Sequence, residues 1–161
     1  MVGLAAFPST TVGALLCSRP MARRETYLDH LASVPLFSAC SKRELGKVAK
    51  AGDELKVKAG HVLTNQGDAG REAYVIVEGS ATVKRGNRKV ATLGPGDCVG
   101  ELALLDHGPR TATVVADDDM TLFVLGARQF AAVLEDVPTL SRKVMAALAG
   151  RIRELDRAYY G

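Results

Sequence analysis

Between Gly100 and Val114 the chain reads Gly-Glu-Leu-Ala-Leu-Leu-Asp-His-Gly-Pro-Arg-Thr-Ala-Thr-Val, and this run gathers the residue types that could hold a charged ligand. Glu101 to Leu105 reads as one helical turn set among strands. Its opening backbone N–H groups have no partner within the turn, so they suit an anion. Arg110 follows nine residues after Glu101, at the start of the next strand, and can place a guanidinium opposite those N–H groups. The Glu101 carboxylate only accepts hydrogen bonds; it cannot serve a phosphate but suits a donor hydroxyl such as a ribose 2′-OH. The pairing points to a ligand with both a phosphate and a sugar hydroxyl. Taken as two residues alone, Arg110 and Glu101 would read as a surface ion pair worth little.

The rest of the chain must build a scaffold for this run. At 161 residues, with 47% hydrophobic and 24% charged residues, 16 Gly and 6 Pro, the chain suits one packed domain with a tail and excludes a disordered or collagen-like polymer. There is no Trp, and only 4 Phe and 4 Tyr, so the core must be aliphatic. A net charge of +3 is too mild to argue for nucleic acid. Cys17, Cys40 and Cys98 form no CxxC pair, which speaks against a disulfide framework or a zinc ribbon and for a reducing cytoplasm. His30, His61 and His107 lack HxH or HxxxH spacing, so no metal ligands are expected. Residues 1–19 are apolar but lack a basic opening segment and are interrupted by Pro8, Ser9, Thr10 and Thr11, so they read as a tail, not a signal peptide. No run approaches the ~18 apolar residues of a membrane span.

Periodicity divides the remainder. Glu25 to Ser33 reads as a helix with Leu28, Leu31 and Ala32 on one face, stopping before Pro35. Ser41-Lys42-Arg43-Glu44 is a capping box opening a second helix through Lys50. From Asp53 to Val124 short Val-, Thr- and Leu-rich pieces alternate with glycine turns, the signature of a sandwich or barrel. Ala73-Tyr74-Val75-Ile76-Val77 should be a central strand, and Thr82–Arg85 with Lys89–Leu93 should form a hairpin about Gly86-Asn87. Gln129 to Leu134 makes a short helix. Beyond Pro138, Leu140, Val144, Leu148, Ile152, Leu155 and Tyr159 recur every three or four residues, an apolar stripe on a long helix that should pack on the barrel or on a second copy. The expected fold is α+β: an antiparallel β-roll, jelly-roll-like, over 53–125, N-terminal helices over 25–50, C-terminal helices over 126–159, and a tail over 1–24.

The run from Gly100 to Val114 resembles the phosphate-binding cassette of the cyclic-nucleotide-binding domain family, which includes bacterial catabolite-activator regulators and regulatory subunits of cyclic-AMP-dependent kinase. The likeness extends through Thr64-Asn65-Gln66-Gly67-Asp68, Tyr74–Gly79 and Leu93-Gly94-Pro95-Gly96-Asp97, covering about Val34 to Asp156. It implies that Glu101 binds the ribose 2′-OH, that Arg110 binds the cyclic phosphate, and that the amides of Leu102, Ala103 and Ala112 lie at or around the phosphate. Val83 and Val90 should line the base pocket, and a side chain at Gly100 would crowd the sugar. Thr111, next to Arg110, lies near the purine and could meet guanine or the phosphate. The implied ligand is cyclic AMP as first choice or cyclic GMP, with no cofactor and no catalysis. A bacterial source and a cytoplasmic location follow the same resemblance.

Where the bacterial regulators continue into a helix-turn-helix, only Ala158–Gly161 follow the stripe, so no DNA reader is expected. The expected role is a sensor that passes a shape change to an unidentified effector protein. Ligand binding should draw in the cassette turn, hinge at Phe130, Val133 and Leu134, and fold the last helix over the base, capped by Leu155, Asp156 or Tyr159. The family implies a homodimer through that helix, and a ligand-silent dimerisation scaffold is the alternative role. A cupin-like metal enzyme shares the barrel but needs a His/Glu cluster that the sequence lacks. Arg151, Arg153 and Arg157 read as a solvated helix face, with a lid or partner contact as the lesser alternative.

Overall fold

A computed structural model describes residues 20–160 of the chain. The expectations for the tail up to residue 19, Cys17 included, lie outside the described residues. The first helix, α1, spans Pro20–Ser33 and so starts earlier than the expected Glu25, inside the segment read as tail. A 3₁₀ turn, Pro35–Phe37, leads to α2, Lys42–Ala51, where the capping box forms in full: the Glu44 N–H donates to the Ser41 hydroxyl and the Ser41 N–H to the Glu44 carboxylate.

Eight strands follow: β1 Asp53–Val57, β2 Val62–Thr64, β3 Glu72–Glu78, β4 Ala81–Arg85, β5 Arg88–Leu93, β6 Cys98–Val99, β7 Thr113–Ala116 and β8 Met120–Gly126. A four-residue helix, α3 (Ala103–Asp106), interrupts them, and α4 (Ala127–Asp136) and α5 (Pro138–Tyr160) complete the chain. The strands make two antiparallel sheets, ordered β1-β8-β3-β6 and β2-β7-β4-β5. This is the expected β-roll between N-terminal helices and a long C-terminal helix.

Alternation along β3 and β8 explains why both read as continuous apolar runs, since their sheet is covered on both faces. Ile76, Met120 and Leu122 face inward and meet Val57, Leu63, Ala81, Val99, Val114 and Ala116 from both sheets. Ala73, Val75, Phe123 and Leu125 face outward into a second core built by Leu31, Leu36, Phe37, Val48, Phe130, Leu140 and Val144 of the helices. Phe130 and Phe37 meet edge-on with ring centroids 5.7 Å apart, so the residues expected at the hinge sit in the helical core. Burying each such side chain contributes about 1.5–3 kcal/mol.

One glycine fixes the turn joining β3 to β4. Gly79 has φ +93°, and a Cβ there would stand 2.7 Å from the Asp119 carbonyl oxygen, so no other residue fits without displacing backbone.

Candidate ligand-binding site

Two loops are laced together at the end of the roll. The Gly67 N–H donates to the Arg110 carbonyl at 2.9 Å, the Arg110 N–H to that of Asp68 at 2.7 Å, and the Gly70 N–H to that of Gly108 at 3.2 Å. This lacing orients the Arg110 side chain between two glycines. A Cβ on Gly70 would meet Arg110 Nε at 2.9 Å, and one on Gly100, itself at φ +76°, would meet Arg110 Nη1 at 2.0 Å. Gly100 therefore makes room for the guanidinium first, a more direct demand than the expected crowding of a sugar.

The guanidinium is held on one side only. Nη2 donates to the Glu72 carbonyl at 2.8 Å, and the group lies 6.0 Å from the Tyr74 ring centroid. Nη1 is buried and has no hydrogen-bond partner among the described residues. An unpaired buried donor costs at least about 1–3 kcal/mol, more for a charged group. The fork is thus fixed in place with donor capacity to spare, which is what capture of an anionic oxygen requires.

Around it opens a cavity of about 620 Å³ lined by all nine expected site residues: Val83, Val90, Gly100, Glu101, Leu102, Ala103, Arg110, Thr111 and Ala112. Val83 and Val90 stand on neighbouring strands of the second sheet. Val83 pairs with Ala91 and Lys84 with Lys89, so Val90 is the extra residue of a β-bulge. Half-exposed, Val90 and its neighbours give the cavity an apolar wall.

Three details depart from expectation. The turn after Gly100 is shorter than Glu101–Leu105, with α3 starting at Ala103. The Ala103 N–H, expected to be without a partner in the turn, donates to the Gly100 carbonyl at 3.1 Å. Thirdly, Glu101 does not face Arg110: its carboxylate accepts from Arg151 Nη1 of α5 at 3.0 Å, with the Glu101 side chain 17% and the Arg151 side chain 40% exposed. Arg151 therefore pairs with a cavity-lining residue, unlike an arginine on a wholly solvated face. Leu155 and Tyr159, expected as base caps, are 69% and 84% exposed, and Asp156 is exposed too.

Cys98, on the strand entering the cassette, lines the same cavity. Burial, followed by the neighbouring Glu101 charge, pushes its thiol far above the usual range, so it stays protonated and inert. Among the described residues no cluster of His, Cys, Asp and Glu could hold a metal ion, and no helix is long and apolar enough to cross a membrane.

Residues 54–137 match the family described as cyclic nucleotide-binding domain. The chain is 34% identical over 138 residues to a cAMP-dependent protein kinase regulatory subunit of Hypocrea atroviridis, covering 86% of this chain and 30% of that protein. It is 32% identical to the Cyclic AMP receptor protein of Thermus thermophilus, covering 76% and 59%. It thus spans about a third of the length of the kinase subunits it matches. Among solved structures, the N-terminal domain of a transcriptional regulator from Streptomyces coelicolor A3(2) superposes with a TM-score of 0.76 at 30% identity, covering 80% of this chain and 96% of that one. The regulatory domain of Toxoplasma gondii PKA, in co-crystals with cAMP, gives 0.65 at 33%, covering 74% and 47%. Fungal and bacterial relatives stand side by side, so the resemblance does not carry the expected bacterial source.

Proposed function

The chain belongs to the cyclic nucleotide-binding domain family, and from that premise we propose that it binds a 3′,5′-cyclic purine nucleotide as a regulatory module, with cyclic AMP as the first ligand to test. The observation that carries this reading is Arg110, which lines the cavity and whose buried Nη1 has no hydrogen-bond partner among the described residues. A cyclic phosphate presents two non-bridging oxygens, acceptors that suit the spare donor capacity of this guanidinium. The ribose then lies toward Glu101 and the base toward Val83 and Val90. Relatives named for cAMP support the choice of nucleotide.

Signalling follows from the second occupant of Glu101. A ribose 2′-OH that donates to this carboxylate competes with Arg151, the residue by which α5 reaches the cassette. Ligand binding thereby releases or re-aims the distal half of α5, where Ile152, Leu155 and Tyr159 are exposed and free to meet a second copy or an effector. The ligand shifts α5 only to the extent that it binds the two arrangements differently.

Calorimetric titration of the full chain with cyclic AMP and cyclic GMP tests the reading. Saturable one-site binding is expected. No heat and no displacement of a fluorescent cyclic nucleotide would overturn it and leave a ligand-silent scaffold.

A further inference from the structure

Behind Arg110 stands an aromatic ring that is not part of the cavity wall. Tyr74 sits in β3, in register with Val99 of β6 on one side and Val124 of β8 on the other. Residues two apart on a strand point the same way, so Tyr74 shares the inward face of Ile76 and packs against the core between the sheets. Val99 leads directly into Gly100, and the register therefore sets Tyr74 beside the opening of the cassette. The Arg110 guanidinium lies over the ring, 6.0 Å from its centroid. Glu72 serves both partners: its backbone carbonyl accepts from Arg110 Nη2 at 2.8 Å, and its carboxylate accepts from the Tyr74 hydroxyl at 3.2 Å.

The guanidinium is thus restrained in two directions. The donors of a guanidinium lie in its own plane, where the Glu72 carbonyl takes one of them; the ring supports it from the face. A cation over an aromatic face is drawn to the ring's quadrupole, and more strongly where water is excluded, as it is around the buried Nη1. Burial, then the Glu72 charge, raises the Tyr74 phenol above its ordinary range, so the ring stays neutral. Resting on the reading that Arg110 receives the ligand's phosphate, we propose that Tyr74 is a positioning residue, whose ring holds the Arg110 guanidinium in the orientation in which the phosphate meets it. Tyr74 does not line the cavity, so its effect on affinity passes through Arg110.

The experiment is calorimetry of the full chain with cyclic AMP, comparing wild type, Tyr74→Phe and Tyr74→Leu, with thermal unfolding to follow the fold. Tyr74→Phe keeps the ring and should bind within about twofold of wild type. Tyr74→Leu keeps apolar bulk without the ring and should weaken binding about fivefold. Altered packing could imitate that loss, so the ring's electron density is also varied at nearly constant shape, with phenylalanine and then its di- and trifluorinated analogues at position 74. Affinity should fall stepwise as fluorine withdraws charge from the ring face, and thermal stability should not fall with it. Equal affinity along the fluorinated series, or a Tyr74→Leu protein that binds like wild type, would overturn the assignment while leaving the site reading intact. A loss in Tyr74→Phe as large as in Tyr74→Leu would overturn it too, moving the role from the ring to the hydroxyl. A wild-type chain that binds no cyclic nucleotide overturns the site reading and this one with it.

Discussion

Helix α5 is fastened to the rest of the chain at two carboxylates, and they differ in how fully each is satisfied. Near its start, buried Glu44 accepts from the Ser41 N–H at 2.8 Å, from Lys143 Nζ and from the Thr139 hydroxyl at 2.6 Å, using both oxygens. Two turns further on, Glu101 takes one bond from the half-exposed Arg151 and a side-chain hydrogen bond from the Cys98 thiol. The first joins α2 to α5 with hydrogen bonds on both carboxylate oxygens, all supplied from within the chain. The second leaves lone pairs open beside a cavity, so a ligand hydroxyl can replace the arginine at small cost. One carboxylate is built to hold, the other to exchange, and α5 is correspondingly rigid at its root and free at its tip.

The largest expected effect separates the two halves of that helix with one residue type. Leu140 is fully buried and Leu155 is 69% exposed. Leu140→Ala should cost about 2–5 kcal/mol of folding stability, whereas Leu155→Ala should stay within about 0.5 kcal/mol. If the exposed half serves assembly, Leu155→Ala should also weaken self-association in light scattering. Similar costs at both positions in urea unfolding would erase the distinction between root and tip.

Next comes the Glu44 clamp. Hydrogen bonding from Lys143, then from the Ser41 N–H and the Thr139 hydroxyl, holds its carboxyl down from 4.5 to about 2. A depressed folded-state pKa contributes stability that is fully present above 4.5 and lost as the pH falls toward 2. Glu44→Gln should therefore be less stable than wild type by about 2 kcal/mol near neutrality, and the gap should narrow through that acid window. A gap independent of pH would show that shape, not charge, secures the joint.

The smallest effect falls on the exchangeable pair. An ion pair with one partner 40% exposed is worth about 1 kcal/mol or less, so Arg151→Ala should change folding stability little. It should raise cyclic nucleotide affinity about two- to fivefold, because the ligand no longer displaces a resident partner. A loss of affinity would mean that Arg151 assists the bound state.

These contrasts also mark how far the sequence can be read. The capping box at Ser41 and Glu44 was legible because its parts lie three residues apart and act on the same helix end. The cassette was legible because it is contiguous, and the hairpin about Gly86-Asn87 because its turn residues are local. Arg151 was not, since it meets Glu101 across 50 residues and its spacing on the helix matches any solvated arginine. The apolar stripe on α5 keeps one period from Leu140 to Tyr159, so nothing local shows that its partner ends halfway. Nor could spacing reveal that the Ala103 N–H would turn back to Gly100, or that Val90 would be set on the cavity wall by a bulge in β5.

The central claim is that the spare donor of Arg110 receives the ligand's phosphate. Calorimetric titration of Arg110→Leu with cyclic AMP beside wild type, with thermal unfolding of both, tests it most directly. The account predicts a folded variant whose affinity falls at least ten- to a hundredfold, the equivalent of about 1.5–3 kcal/mol for a lost charge-assisted hydrogen bond. A folded Arg110→Leu protein that binds cyclic AMP as tightly as wild type would contradict it.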